Sequence, residues 1–328
     1  PDRAATSAAD LGIAPDRAYA SFAEMATAEA ARSDGIDAVA IVTPNHMHAA
    51  PTIAFLNAGI NVICDKPLAA TQQDSEAIRA AVDASEAKFI LTHNYTGYPL
   101  MRQAREMIAR GDLGKIRVVQ AEYAKDWLTE NTQNKQADWR TDPTRSGAGA
   151  IGDIGTHAFN LLSFVTGLGT EALSADLHSF VAGRQVEDNA HILLRFETGA
   201  RGMIWASQVA VGRENGLTLR IYGEKGSIEW GQENPNQMRF TKFGAATQIL
   251  TRGGSGLGDG NDRWTRIPPG HPEGFVESFA NLYSDAADLI IGSGDGHLLP
   301  GIDAAIDGMW FIAACQASSG NDSSWVRK

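Results

Sequence analysis

Apolar positions in the first third of the chain fall into short uninterrupted runs, separated by segments of helical periodicity. Asp37–Val42 (DAVAIV), Asn61–Cys64 (NVIC) and Lys88–Thr92 (KFILT) read as buried strands. The intervening segments carry helix start and stop signals. Pro1–Leu11 has a proline suited to a first helical turn and stops at Gly12. Ser21-Phe-Ala-Glu24 and Thr71-Gln-Gln-Asp74 have the capping-box pattern, the first opening a helix that ends near Gly35. His48–Ala58 ends at Gly59, and Pro99–Arg110 is a further helix. Strands alternating with helices at this spacing predict an α/β unit, a parallel, doubly wound sheet with ligands at the strands' carboxyl ends. Thr43-Pro44-Asn45, Asp65-Lys66-Pro67 and His93-Asn94-Tyr95 fall at such ends.

The pattern changes after Gly111-Asp-Leu-Gly114. Ile116–Tyr123, His191–Phe196, Gly202–Val209, Leu217–Tyr222 and Ser227–Trp230 contain period-2 stretches joined by turn signals such as Glu197-Thr-Gly199 and Gly223-Glu-Lys-Gly226. They predict an open, mainly antiparallel sheet. With a helix through Asp153 and His157, this sheet makes an α+β second domain spanning 114–328, after a first domain spanning 1–113. Gly274–Ile291 and Gly301–Gln316 are the expected closing helices. The glycine-rich Gly253–Gly260 matches no phosphate-binding spacing and is expected to be a mobile surface loop.

Composition narrows the partners. The 328 residues suffice for two cores, and 28 basic against 39 acidic side chains give a formal charge of −11. That balance argues against nucleic acid or an anionic membrane. Cys64 and Cys315 are too few for a disulfide framework, which fits a reducing compartment and a cytoplasmic protein. No apolar run approaches the roughly 20 residues of a membrane helix. No metal is expected, since His46 and His48 lack an evident third ligand.

Candidate chemistry concentrates in Gly147-Ala-Gly-Ala-Ile-Gly-Asp153-Ile-Gly-Thr-His157. On a helix, Asp153 and His157 would project from one face one turn apart, with Ile154, Ala158, Leu161, Leu162 and Val165 as the buried side. A carboxylate and an imidazole held together there suit proton transfer; a structural Asp–His pair would show the same spacing. Gly147, Gly149 and Gly152 satisfy the dinucleotide fingerprint, but the polar stretch Asp138–Ser146 before them has no strand pattern. These glycines read instead as a flexible entry that lets a ligand approach the backbone. Lys66, at a strand end beside Pro67, points toward the ligand crevice, whereas most lysines are simply solvated.

Together, Thr43-Pro44-Asn45 with His48, Asn61-Val-Ile-Cys-Asp-Lys-Pro67, Trp139-Arg140 and Gly152-Asp-Ile-Gly-Thr-His157 resemble the glucose–fructose oxidoreductase/inositol dehydrogenase/rhizopine catabolism (Gfo/Idh/MocA) family, in order along essentially the whole chain. The resemblance implies a Rossmann domain binding NAD or NADP, and a second domain whose sheet roofs the substrate and mediates homo-oligomerisation. The family's Glu-Lys-Pro becomes Asp65-Lys66-Pro67, and the arginine it often carries after the next strand is replaced by Thr96. A Rossmann domain should begin with a strand, a glycine-rich turn and a helix. This sequence opens where its second strand would just have finished, so the first βαβ unit is expected to lie outside it.

The resemblance implies an NAD(P)-dependent dehydrogenase acting on a secondary hydroxyl or ketone of a cyclic polyol or sugar, inositol- or hexose-like. His157 would be the general base, with an imidazole pKa near neutrality suited to the role. Asp153 would hold a substrate hydroxyl and Lys66 would bond the reacting oxygen, the formal base lying between Lys66 and His157. Thr43, Pro44, Asn45, His48, Asp65, Lys66, Asn94, Trp139 and Arg140 would face the cofactor. His271 and Gln208 are further substrate candidates. Two other readings are a redox-neutral enzyme that retains its nicotinamide and a non-catalytic dinucleotide-bound regulator. The trio Lys66, Asp153 and His157 counts against the regulator.

Overall fold

The computed structural model describes residues 2–255, 258 and 261–328. Strands β1 (Ala38–Ile41), β2 (Asn61–Cys64) and β3 (Phe89–Leu91) form a parallel sheet in that order, with Val39, Val62 and Phe89 in register. Helices Phe22–Ala30, Ala49–Asn57, Gln72–Asp83 and Pro99–Ala109 alternate with them. The expected caps form: the Ser21 and Thr71 hydroxyls each accept a backbone N–H three residues on, at 3.1 Å. Among the described residues β1 is an edge strand of the three, with Ala40 exposed and Val42 72% exposed.

Nine further strands build the second sheet. They are β4 (Ile116–Ala124), β5 (Thr170–His178), β6 (Asn189–Phe196), β7 (Arg201–Ser207), β8 (Gly216–Gly223), β9 (Gly226–Gly231), β10 (Gln237–Lys242), β11 (Gln248–Thr251) and β12 (Val326–Arg327). Their spatial order is β11-β10-β9-β8-β4-β7-β6-β5-β12, antiparallel throughout except for the parallel pair β4–β7. Of these, β5, β10, β11 and β12 have no counterpart among the expected strands. β5 buries mostly small residues, Ala172 and Ala175 beside Leu173, which gives a weak apolar signal. β11 and β12 have no fully buried side chain; beyond edge pairing, Leu250 and Val326 are only half-buried against the core.

A π-helical turn, Ile151–Gly155, runs into the helix Thr156–Thr166. Ile154, Ala158, Leu161, Leu162 and Val165 are buried as expected. The closing helices, Phe275–Ile290 and Ile302–Ser319, return to the first unit. Ala286 packs with Ile63 and Ile90, and the Leu91 N–H donates to the Pro300 carbonyl at 2.8 Å. A division near Gly114 therefore separates the strands of the two sheets but not the helices that cover them. Four positions of Gly253–Gly260, residues 256, 257, 259 and 260, lie outside the described residues. No helix among the described residues is long and apolar enough to cross a membrane.

Candidate active site

A cavity of about 650 Å³ opens where the carboxyl ends of β2 and β3 meet the end of β4. Asp65, Lys66, Thr92 and Asn94 line it from the parallel sheet, and Tyr123, Lys125, Arg140, Asp153, His157 and Asn215 from the second unit. Phe275 and Phe279, one turn apart on a closing helix, complete the wall.

Asp65 binds the strand ends together. Its Oδ1 accepts the Lys66 N–H at 2.8 Å and the Thr92 hydroxyl at 2.9 Å. The Lys66 side chain then crosses to Asp153, donating to its backbone carbonyl and, at 3.2 Å, to Oδ1. At 13% exposure this is not a solvated lysine. Arg140 Nε also reaches Asp153 Oδ1, at 3.4 Å, and Gln208 Nε2 donates to Oδ2 at 2.8 Å. Burial would raise the Asp153 pKa, but Lys66, Arg140 and Lys125 outweigh it and hold the group at about 2. Asp153 is therefore a carboxylate at neutral pH.

His157 is a separate group in the same cavity. No hydrogen bond joins it to Asp153 among the described residues, so the expected carboxylate–imidazole pair is not formed. The oxygens of Asp153 are taken by cations and an amide, while His157 Nδ1 faces His93 Nδ1 at 3.5 Å. The Tyr95 and Tyr123 rings surround it, with centroids 4.9 and 6.1 Å away. Burial pushes the His157 pKa well below its ordinary value, and Lys66, His93 and Lys125 push the same way. This corrects the expectation of a pKa near neutrality: the imidazole is neutral first because it is dry, and then because the Lys66 and Lys125 ammoniums are near. His93 is depressed to about 3, by burial first and then by Lys66.

The remaining candidates divide. Asn94 is buried on the cavity, and its Nδ2 has no partner among the described residues. Thr43, Pro44 and Asn45 end β1 outside the lining, and Asn45 Nδ2 donates to the Ser146 carbonyl at 2.8 Å. His48 is fully buried, its ring spanning the carbonyls of Pro67 (2.9 Å) and Thr43 (2.8 Å). That position braces two strand ends. Trp139 stands outside the lining, with the Arg140 guanidinium 4.2 Å from its ring centroid. Gln208 lies behind Asp153 and does not line the cavity. His271 is exposed beside a second cavity of about 560 Å³, where its carbonyl accepts from Arg252.

The glycines before the helix serve the protein's own packing. A Cβ on Gly147 (φ +80°) would lie 2.3 Å from the Ala70 carbonyl oxygen, and one on Gly149 only 1.9 Å from that of Glu187. They admit neighbouring backbone rather than a ligand.

Sequence reasoning missed Lys125, Tyr123, Tyr95 and Asn215. The Tyr95 and Tyr123 hydroxyls meet at 2.5 Å, and Tyr123 donates on to Asn215 Oδ1 at 2.8 Å. One signal was available: Tyr123 and Lys125 are two apart at the end of a strand, and so share a face.

Residues 1–106 match the model of the oxidoreductase family with an NAD-binding Rossmann fold, and residues 101–229 that of the GFO/IDH/MocA C-terminal domain. The chain is 34% identical over 330 residues to the uncharacterized oxidoreductase YfiI of Bacillus subtilis (strain 168), covering 97% of this chain and 84% of the relative. It superposes on the crystal structure of an oxidoreductase from Sinorhizobium meliloti with a TM-score of 0.91 at 50% identity, covering 100% of this chain and 89% of that one. An inositol dehydrogenase homolog from Azotobacter vinelandii, complexed with NAD+, superposes with a TM-score of 0.95 at 37% identity, covering 100% and 87%. The same homolog complexed with NADH and myo-inositol gives 0.92 at 36%, again covering 100% and 87%.

Proposed function

The chain belongs to the GFO/IDH/MocA family of NAD(P)-dependent oxidoreductases, and from that membership we propose that it is a dehydrogenase for a secondary hydroxyl, or the corresponding ketone, of a cyclic polyol or sugar. The observation that carries this reading is the convergence of Lys66, Asp153 and His157 on one cavity at the carboxyl ends of parallel strands. The cavity also suits a nicotinamide: Asn94, Asp65 and Lys66 line it together at the strand ends, and the buried Asn94 amide nitrogen has no partner among the described residues. Asp65, Lys66, Asn94 and Arg140 are the residues we assign to holding that end of the cofactor, with Thr43, Pro44 and Asn45 toward its remainder. A bound nicotinamide supplies the hydride acceptor for oxidation and the donor for reduction.

The chain's own residues handle the proton and the charge. During oxidation the carbinol carbon gives up a hydride and the hydroxyl a proton, leaving a ketone. Neutral His157 accepts that proton. The Lys66 ammonium, held on Asp153, stabilises negative charge developing on the oxygen. Asp153 orients a neighbouring hydroxyl. The test is a screen of inositols, hexoses and related polyols with NAD+ and NADP+, following the absorbance of the reduced cofactor. Steady reduction with one alcohol supports the reading; a redox-neutral product with no net reduction points to the cofactor-retaining alternative.

We also assign the uncovered face of the nine-stranded sheet to self-association as a dimer or tetramer. Val118, Leu193 and Met203 project there together at 37–53% exposure. A monomer in light scattering at micromolar concentration would contradict this.

A further inference from the structure

Lys125 differs from the other charged groups of the cavity. It lies just past the end of β4 with its ammonium 5.5 Å from the Tyr123 ring centroid, and it lines the cavity with Lys66, Arg140 and Asp153. Lys66 and Arg140 are both engaged with Asp153. The Lys125 backbone pairs with Ser207 and Ala210, but its ammonium has no hydrogen bond or ion pair among the described residues. Desolvation lowers its pKa, Lys66 and Arg140 add to that, and only Asp153 opposes it.

The charge balance points the same way. One carboxylate, Asp153, answers three cations. Asp65, the other acid on the lining, turns Oδ1 to the Lys66 N–H and the Thr92 hydroxyl. The part of the cavity around Lys125 is therefore short of negative charge. A largely buried ammonium without a partner is costly, and a ligand that brings the counter-charge relieves that cost.

We propose that Lys125 receives an anionic group carried by the substrate, a carboxylate or a phosphate, so that the enzyme prefers sugar acids or sugar phosphates over neutral polyols. The proposal rests on the dehydrogenase reading of the same cavity. Lysine, as a compact point charge, serves either anion, and the neutral donors and acceptors of Asn215, Gln232 and Gln136 remain for hydroxyls.

The test compares matched substrates: glucose, gluconate, glucuronate and glucose 6-phosphate, then myo-inositol and its monophosphate, each with NAD+ and NADP+. A charge-assisted contact of this kind is expected to raise kcat/KM for the acid over its neutral partner about 10–100-fold. Added salt should erode that advantage and leave the neutral substrate's rate constant, because only the charged pair is screened. Lys125→Met should raise KM for the acid far more than it lowers kcat, and Lys125→Arg should restore part of the preference. The better of the carboxylate and phosphate arms identifies the anion. Equal or better use of the neutral partners by the unaltered enzyme overturns the proposal while sparing the dehydrogenase reading, as does an equal loss on both substrate classes in Lys125→Met. No cofactor reduction with any alcohol of either class removes both.

Discussion

Replacing His157 with glutamine separates chemistry from packing. His157 is 8% exposed, edge-on to Tyr95 and beside His93. Glutamine has a similar volume, so the swap leaves little void and is expected to cost about 1 kcal/mol of stability. Loss of the proton acceptor is larger. General-base assistance is typically worth about 10²–10⁴-fold, or roughly 3–5 kcal/mol of barrier, and kcat should fall by that amount. The pH profile gives a second readout. Burial, Lys66, His93 and Lys125 all depress the His157 pKa, so the wild-type imidazole is already neutral at physiological pH. Oxidation by the wild type should therefore be flat from roughly pH 6 to 8, with its acid limb below the usual histidine range. The assay is kcat and kcat/KM against pH for both proteins, with thermal unfolding as the control for folding. A His157→Gln enzyme that unfolds normally, keeps kcat within about threefold of wild type and retains the same acid limb would refute the reasoning and transfer the proton to Lys66.

Lys66→Met removes a cation that stabilises the reacting oxygen and depresses His157, so kcat should fall about 10²–10³-fold and the residual acid limb should move to higher pH; a limb that stays in place or moves down is the contrary result. Asp153→Asn deprives Lys66 and Arg140 of their counter-charge and should sharply reduce kcat/KM. Because the Asp153 pKa falls on folding, from 3.8 to about 2, its contribution of roughly 2 kcal/mol is present above pH ~4 and is lost as pH drops toward 2. Thermal midpoints measured across that window should show a smaller loss in Asp153→Asn than in wild type, the remainder coming from other depressed carboxylates such as Glu29. Glu273→Gln breaks the Arg252–Glu273 pair, 2.7 Å long and nearly fully buried beside the second cavity, and should lower Tm by roughly 5–10 °C with kcat unchanged. An unshifted Tm would show that Arg252 is held well enough by Asn236 Oδ1 and the carbonyls of Ile267, Pro268 and His271.

Much of the architecture was legible in the sequence because its signals are local. Apolar runs of three or four residues at regular spacing, Ser21 and Thr71 at helix starts, and Gly12 and Gly59 at helix ends depend on neighbours within one or two turns. The strand ends bearing Asn45, Lys66 and Asn94 followed from that alternation, and the family from motifs spread along the chain. The buried face behind Asp153 was readable because helical spacing alone sorts Ile154, Ala158, Leu161 and Val165 to one side.

What faces what was decided only by the tertiary structure. Asp153 and His157 are four residues apart, yet their partners come from elsewhere: Lys66 and Gln208 for the one, His93 and Tyr95 for the other. His48 and Asn94 look alike as polar residues at strand ends. One is spent on two backbone carbonyls and the other keeps a free buried donor, a distinction set by the loops that close over each. The depressed pKa of His157 and the unpaired ammonium of Lys125 likewise need the second sheet folded against the first. Desolvation and Coulomb interactions depend on distance in space, and sequence separation does not encode it.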